Sequence, residues 1–173
     1  VTTIQSMSLS DRISQKIILD FRYYCTDFEE GAEKCIEPAL TVPAEFTSFL
    51  QNHALGGVIL FAENTRSIEQ TVQLTHDLQR YNSASPSRPP LFVSIDQEGG
   101  KVVRLPRLWA TSFPGNMAIA AASENQQENA YSVGSFIGAE LASLGVNVNF
   151  APVVDVNTNS ENPVINVRSF SDQ

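Results

Sequence analysis

The sequence predicts an α/β fold in which a parallel sheet is covered by helices. Its clearest feature is an alternation between short, unbroken apolar segments and longer segments with apolar residues at helical spacing. Unbroken apolar runs are typical of strands that are buried on both faces, as in parallel sheets. Doubly wound sheets and closed barrels both show this alternation, and periodicity does not distinguish between them.

Four strands are predicted from the apolar runs. Asp96 directly follows the third strand, and Asp155 lies just beyond the fourth. Both architectures place the functional site at the carboxyl ends of the strands, so these two carboxylates are expected at the site edge. The predicted strands are residues 19–22, 58–61, 91–95 and 146–153.

Helices are predicted before and between these strands from start signals and apolar stripes. Gly145 is suited to the C-cap of the last helix. The start signals are Ser8–Asp11, Pro43, the capping-box pair Ser67 and Gln70, and Ser123. The positions expected to form apolar stripes are Ile13, Ile17, Ile18, Phe46, Phe49, Leu50, Ile68, Val72, Leu74, Leu78, Tyr81, Ala130, Val133, Gly134, Ile137, Leu141 and Leu144.

Length and charge limit the classes of partner. The 173 residues suffice for one globular domain with a core. A formal net charge of −8 argues against nucleic acid and anionic membranes, which need clustered Lys and Arg. No apolar run approaches the roughly 18 residues needed to span a bilayer. We expect a small-molecule partner, no nucleic acid and no membrane insertion.

The two cysteines, Cys25 and Cys35, flank an acidic segment. A disulfide between them is sterically possible and would indicate an oxidising compartment. Two free, half-buried thiols are the favoured interpretation. Because no His or third Cys lies nearby, no metal site is expected, and no cofactor is expected either.

Residues 96–104 carry the polar chemistry of the third strand end. Asp96 can accept hydrogen bonds, Gly99-Gly100 permits a sharp turn and a close approach to a ligand, and Lys101 and Arg104 return cationic donors. Carboxylate and guanidinium groups together bind sugar hydroxyls, one accepting and the other donating. The alternative is a turn with a surface salt bridge. The glycine spacing does not match nucleotide-binding loops.

The segment Asp96–Leu105 resembles the Asp-Gln-Glu-Gly-Gly-Arg-Val-x-Arg-Leu signature of the β-N-acetylhexosaminidases of glycoside hydrolase family 3. The match extends, in order, from about Ser8 to the last residue. Further segments that resemble this family are residues 56–61, 113–118, 140–155 and 162–170.

The resemblance implies a TIM (β/α)8 barrel, of which residues 1–173 form the N-terminal part, with about four strand–helix units. It implies a bacterial retaining exo-glycosidase that removes terminal β-linked N-acetylglucosamine from peptidoglycan fragments or chitin oligomers, without a cofactor. Asp96 would accept from the outer sugar hydroxyls, while Arg104 and Arg168 would donate to them. The supporting residues would be Glu98, Gly99, Gly100, Lys101 and Asp155.

Several of these supporting residues also have a purely structural interpretation. Glu98 could pair with Lys101 or Arg104 and order the loop. Asp155 could cap the Asn-rich turn that follows it. Lys101 stands where the family more commonly has Arg, and we expect it to support the loop without touching sugar.

The family's His acid/base and Asp nucleophile have no counterpart in these residues, so no catalytic residue is expected here and the chain alone is expected to be inactive. The two histidines, His53 and His76, lie in helical stretches and are expected to be surface or core residues. A complete barrel needs roughly 250 residues.

Two alternative functions fit the same residues. One is a non-catalytic half-barrel that binds N-acetylglucosamine, with a possible homodimer through its open sheet edges. The other is a β-glucosidase of the same family, although those enzymes typically depart from the signature. Residues 1–11 are polar and lack the basic-then-apolar pattern of a signal peptide, so a cytoplasmic location is expected, with a periplasmic or exported one as the alternative.

Overall fold

The computed structural model describes residues 2–26, 34–84 and 88–173, with side chains from residue 4 onward. Its centre is a sheet of four strands: β1 (Ile18–Asp20), β2 (Gly57–Leu60), β3 (Phe92–Ile95) and β4 (Val148–Asn149). The strands are all parallel and follow the order β1-β2-β3-β4. In the register, Ile18 pairs with Gly57, Gly57 with Phe92, and Ser94 with Val148.

The strand order distinguishes between the two architectures that periodicity left open. A doubly wound sheet reverses its order at a switch point, whereas each strand of a barrel lies between its neighbours in the chain. The sequential order of these four strands is that of a barrel.

Helices precede and connect the strands, largely where start signals predict them. Ser8 and Ser67 cap their helices through their hydroxyl oxygens, which accept from the backbone N–H groups of Asp11 and Gln70. Among the described residues, no helix is long and apolar enough to cross a membrane. The helices are α1 (Thr2–Ser6), α2 (Leu9–Ser14), α3 (Ala44–Asn52), α4 (Ile68–Asn82), α5 (Asn116–Ala120) and α6 (Gln126–Ser143), with 3₁₀ turns at Ala62–Asn64 and Asn166–Arg168.

The ends of α6 illustrate how single residues set helix limits. The helix begins three residues later than Ser123 because Asn125 has a left-handed φ of 57° and interrupts the helical backbone. Its end matches the prediction, since Gly145 has a φ of 78°. Gly145 N–H donates to Ala142 and Val146 N–H donates to Leu141, which are the two bonds of a Schellman motif.

The core lies between the sheet and helices α3, α4 and α6. Its members come from both strands and helices, and each fully buried aliphatic side chain contributes about 1.5–3 kcal/mol relative to exposure. These buried residues include Leu50, Val58, Leu60, Leu74, Leu78, Leu91, Val93, Ile95, Ile137, Leu141 and Leu144.

The prediction for the buried face of α4 is wrong at two positions. Ile68 is 46% exposed and Val72 is 40% exposed, while Thr71 and Thr75 face the core. Both threonines are tolerated there because their hydroxyl groups donate to carbonyl oxygens, those of Ser67 and Leu144. The apolar positions Ile13, Ile17, Ile18 and Gly134 are likewise exposed.

The fourth strand is far shorter than the predicted 146–153. The Asn147 and Phe150 N–H groups donate to the Val93 and Ile95 carbonyls of β3. Beside these bonds, asparagine side chains bind the same stretch of backbone: Asn147 accepts from Val93 N–H, and Asn149 both accepts from and donates to Gln97. Pro152 has no N–H to continue the ladder. Asp155 therefore lies well beyond the strand end.

The favoured prediction of free thiols is wrong, because Cys25 and Cys35 form a disulfide with a Cα–Cα distance of 5.9 Å. The bond joins two chain segments that pair in an antiparallel manner after β1. In this ribbon Tyr24 N–H donates to Glu37 and Ala39 N–H donates to Arg22. The central part of the acidic segment, residues 27–33, lies outside the described residues.

Candidate functional site

Two carboxylates and an aromatic side chain lie at one edge of the sheet, where the parallel strands end. Asp20 is the last residue of β1, Phe61 follows β2, and Asp96 follows β3. We call this edge the mouth. The alternation of strands and helices places these residues side by side although 76 positions separate the first from the last.

An ion pair between Asp96 and Arg104 lies at the mouth. The Arg104 Nη2 atom is 2.9 Å from Asp96 Oδ2, and both side chains keep about a quarter of their surface exposed (29% and 24%). The pair therefore combines hydrogen-bond donors and acceptors that a ligand can reach. Its residues are those that the sequence predicts as a sugar-binding pair.

A buried amide holds Arg104 in this position. Gln97 is 1% exposed, and its Oε1 atom accepts from the backbone N–H groups of Arg104 and Leu105. On the other side, the Thr65 hydroxyl donates to the Arg104 carbonyl at 2.8 Å. Sequence reasoning missed both Gln97 and Thr65, because neither residue type signals a side-chain bond to a backbone group elsewhere in the chain.

Arg168 pairs with Glu98, which lies two residues beyond Asp96. Two bonds join the guanidinium to the carboxylate: Nε to Oε2 at 2.9 Å and Nη2 to Oε1 at 2.6 Å. The Glu98 side chain is only 5% exposed, and that of Arg168 is 25% exposed. The predicted pairing of Glu98 with Lys101 or Arg104 is therefore wrong.

The surroundings of Arg168 make it a firmly charged donor. Its hydrogen bonds to Glu98 raise its pKa above the ordinary value, although burial acts to lower it. The negative charges of Glu98, Asp96 and Asp155 also raise this pKa. The backbone carbonyl of Arg168 accepts from the Asn116 side chain at 2.8 Å. Asp96, Arg104 and Arg168 thus belong to one electrostatic group.

Asp155 has a different role from the predicted cap. Its carboxylate makes no hydrogen bond within the described residues, and its backbone carbonyl accepts from the Ser169 hydroxyl at 2.6 Å. The carboxylate is exposed and acts on Arg168 through its charge. Asp155 therefore adds negative charge to the mouth.

The two glycines turn the loop and bring it against its own continuation. Gly99 and Gly100 have left-handed φ angles of 82° and 59°. A Cβ atom on Gly100 would lie 2.7 Å from the Cα of Gly115, and one on Gly99 would lie 3.0 Å from the Pro114 carbonyl oxygen. The close approach predicted for a ligand is thus made by residues 113–115.

Lys101 does not point a cation to the mouth. The residue is exposed, and its side chain forms no hydrogen bond or ion pair in the described part of the chain. Arg107 supports the turn instead, donating from Nη2 to the Gly100 carbonyl at 2.7 Å.

A cavity of about 310 Å³ lies next to Glu98, but it is not part of the mouth. Glu98 and Gln97 line one part of it, and most of the remaining lining is apolar and comes from α5, α6 and the residues after β4, including Ile119 and Val133. Asp96, Arg104 and Arg168 are not among the lining residues. Within the described ranges, no three His, Cys, Asp or Glu side chains could hold a metal ion.

His53 and His76 take no part in the site. His53 caps the end of α3 and His76 lies on α4, and both are exposed on the helical side of the sheet. Both are therefore surface residues, which is one of the two placements that the sequence predicts.

The conserved-domain model for the glycosyl hydrolase family 3 N terminal domain matches residues 25–173. The chain belongs to glycosyl hydrolase family 3. Its relatives include beta-hexosaminidase A of Pseudoalteromonas piscicida, which is 49% identical over 167 residues, or 96% of this chain and 28% of that protein. A beta-hexosaminidase of Shewanella frigidimarina is 35% identical over 76% of this chain and 37% of its own length.

Solved structures of family 3 proteins have the same fold. The family 3 β-N-acetylglucosaminidase from Paenibacillus sp. FPU-7 has a TM-score of 0.79 and 35% identity, over 95% of this chain and 28% of that one. NagZ from Neisseria gonorrhoeae, solved with N-trifluoroacetyl-D-glucosamine, has a TM-score of 0.70 and 27% identity, over 90% and 41%. The predicted family and its TIM-barrel fold are confirmed. This chain spans under half the length of each of these relatives.

Proposed function

We propose that these residues form the substrate-binding part of a retaining exo-β-N-acetylglucosaminidase. The observation that carries the proposal is the grouping of Asp96, Arg104 and Arg168 at the mouth. The names of the relatives, beta-hexosaminidase and β-N-acetylglucosaminidase, support the same class of reaction. The substrates would be glycans with a terminal β-linked N-acetylglucosamine, either peptidoglycan fragments or chitin oligomers.

In this proposal the three side chains bind the outer hydroxyl groups of the terminal sugar. The Asp96 carboxylate accepts hydrogen bonds, and the Arg104 and Arg168 guanidinium groups donate them. These contacts lie away from the bond that is cleaved. Their binding energy helps to position the anomeric carbon, so their loss affects kcat as well as KM.

The nucleophile and the acid/base would come from residues other than these 173. Retaining hydrolysis requires two such groups on either side of the glycosidic bond. The relatives named above are more than twice as long as the matched region, which leaves room for both groups. We accordingly propose that these residues supply binding and that the rest of the protein supplies bond cleavage.

The Cys25–Cys35 disulfide favours the periplasmic or exported location over the cytoplasmic one. Disulfides persist in oxidising compartments and are rare in the bacterial cytosol. Alkylation of unreduced cell fractions with a maleimide reagent measures this directly. Protection of both cysteines in the periplasmic or secreted fraction is expected, whereas alkylation of both in a cytosolic fraction would support the cytoplasmic location.

A sugar-binding half-barrel without catalysis is the second candidate, with two copies pairing through open sheet edges. Exposed apolar side chains next to β4 favour it, namely Phe150 and Val154. In our main proposal, further barrel elements cover these side chains. Light scattering on the 173-residue chain would show a dimer in the second case, together with N-acetylglucosamine binding and no turnover.

The proposed activity is tested with the full-length protein that contains these residues. Aryl N-acetyl-β-glucosaminide and aryl β-glucoside are compared as substrates, and the first anomer released is identified by NMR. Faster hydrolysis of the N-acetyl substrate with release of the β-anomer is expected. A preference for the glucoside would favour a β-glucosidase, and initial release of the α-anomer would contradict a retaining mechanism.

A further inference from the structure

The ring of Phe61 contacts two guanidinium groups at the mouth. The Arg22 Cζ atom lies 3.4 Å from the ring centroid, and the Arg104 Cζ atom lies 5.4 Å from it. The Nε atoms of both arginines are buried and have no hydrogen-bond partner among the residues that the structure describes. The electron-rich face of the ring attracts both cations, in addition to the carboxylates that bind their Nη2 atoms.

Arg22 is paired at the end of β1 as Arg104 is paired at the end of β3. Its Nη2 atom lies 3.1 Å from Asp20 Oδ2, and its backbone N–H donates to Asp20 Oδ1 at 2.7 Å. Two Asp–Arg pairs therefore flank a single aromatic side chain. The second of them is the proposed sugar-binding pair.

A closed set of contacts fixes Phe61 relative to Arg22. The Arg22 carbonyl accepts from Ala39 N–H at 3.0 Å, and the Ala39 carbonyl accepts from the Asn64 amide at 2.9 Å. Asn64 Oδ1 in turn accepts from Phe61 N–H at 3.0 Å. Asn64 is fully buried, so these bonds are shielded from water.

In the described part of the chain, the Arg104 guanidinium interacts with the Asp96 carboxylate and with this ring. Among the described residues, one hydrogen bond, to Asp96, holds the guanidinium. A long side chain that is held at one point keeps rotational freedom, which substrate binding must remove at an entropic cost. The Phe61 ring, 5.4 Å from the Arg104 Cζ atom, restricts that rotation. The ring itself is held in place by Arg22 and the Asn64 contacts.

We propose that Phe61 and Arg22 are positioning residues that hold the Arg104 guanidinium for the substrate. This proposal rests on the proposed function, since it assigns a purpose to the sugar contact of Arg104. Neither residue is catalytic in it. Both act through Arg104.

The test uses the full-length protein with an aryl N-acetyl-β-glucosaminide, and the variants Phe61→Leu and Phe61→Tyr. Phe61→Leu keeps an apolar side chain but removes the aromatic face. From the usual strength of a cation–π contact, we expect kcat/KM to drop roughly threefold to tenfold, with a raised KM. Phe61→Tyr keeps the face and should stay within about twofold of the parent. Loss of folded protein lowers kcat alone, so the rise in KM marks positioning.

Phe49→Leu is the matched control. Phe49 also makes ring contacts, with Phe46 and His53, but it lies on α3 away from the mouth. Its KM should equal that of the parent protein. An unchanged KM in Phe61→Leu, or an equal rise in Phe49→Leu, would overturn the proposal.

A double variant shows whether Phe61 acts through Arg104. In an Arg104→Gln background, Phe61→Leu should have almost no further effect on KM, because the group that it positions is gone. Independent, multiplicative effects would overturn the proposal. If Arg104→Gln has no effect on kcat/KM, both this proposal and the proposed function are contradicted. If Arg104→Gln lowers kcat/KM and Phe61→Leu does not, this proposal is contradicted and the proposed function stands.

Discussion

Replacing Glu98 with Gln removes one charge from the mouth while keeping the size of the side chain. In the native protein, Glu98 is nearly buried and makes two bonds to Arg168, at 2.9 and 2.6 Å. The amide can accept only one of them, and its NH2 group then faces an N–H of the guanidinium. Arg168 is therefore expected to leave its position.

The magnitude follows from the burial of the two partners. Breaking a fully buried ion pair costs about 3–5 kcal/mol, because the remaining charge is left without a partner. A quarter of the Arg168 side chain is exposed, so water offsets part of this cost. We expect the free energy of unfolding to fall by about 2–3 kcal/mol. Loss of the charged contact to sugar should lower kcat/KM roughly tenfold to 150-fold.

The matched control is Glu140→Gln. Glu140 Oε1 also accepts two hydrogen bonds, but from the uncharged backbone and hydroxyl donors of Thr111, outside the mouth. It should cost about 1 kcal/mol of stability and leave kcat/KM unchanged. Both variants are measured by thermal melting and by hydrolysis of an aryl N-acetyl-β-glucosaminide in the full-length protein. A folded Glu98→Gln protein with kcat/KM within twofold of the parent would refute the reasoning.

Three further predictions concern stability and activity. Changing Cys25 and Cys35 to Ser opens a loop with a sequence separation of 10. Chemical denaturation should show that the free energy of unfolding falls by up to about 3 kcal/mol. In reductant, the parent and the variant should have the same free energy of unfolding. Burial alone would raise the pKa of Glu63, but hydrogen bonds from the backbone and from Tyr23 outweigh it and lower that pKa below 4.5. The same hydrogen bond to Glu63 raises the pKa of Tyr23 above 10.0. The contribution of Glu63 to stability should therefore be present above pH 4.5 and lost as the pH falls through its folded pKa. The contribution of Tyr23 to stability should be present below pH 10.0 and lost as the pH rises through its folded pKa. If the melting temperature of Glu63→Gln fell with acid in the same way as that of the parent does, the statement about Glu63 would be contradicted. The 173-residue chain alone should not hydrolyse an aryl N-acetyl-β-glucosaminide, and turnover abolished by a point change within it would show that a nucleophile or acid/base had been missed.

Local signals in the sequence predict much of the fold. The cap at Ser67 and the helix end at Gly145 depend on residues within a few positions, and both are confirmed. The fourth strand is short where the side chains of Asn147 and Asn149 bond to the backbone of Val93 and Gln97, more than 50 positions away in the chain. An apolar run in the sequence does not reveal that such side-chain bonds will form.

The same distinction applies to the site. Asp96 and Arg104 are eight positions apart, and their pairing follows from the turn that Gly99 and Gly100 permit. Glu98 and Arg168 are 70 positions apart, and the sequence offers nearer cations for the carboxylate. Burial favours the distant partner, since its planar guanidinium donates two hydrogen bonds to one carboxylate, and Lys101 stays exposed.

The side-by-side kinetics of Asp96→Ala and Lys101→Ala test the central claim most directly, namely that the mouth binds the terminal sugar. Both variants are assayed in the full-length protein on the same aryl N-acetyl-β-glucosaminide, with folding checked by thermal melting. Asp96→Ala should lose about 1.5–3 kcal/mol of transition-state binding, or roughly tenfold to 150-fold in kcat/KM. Lys101→Ala should lose less than about 1 kcal/mol, because its side chain is exposed. Equal losses, or a larger loss for a well-folded Lys101→Ala protein, would mean that the sugar is bound elsewhere.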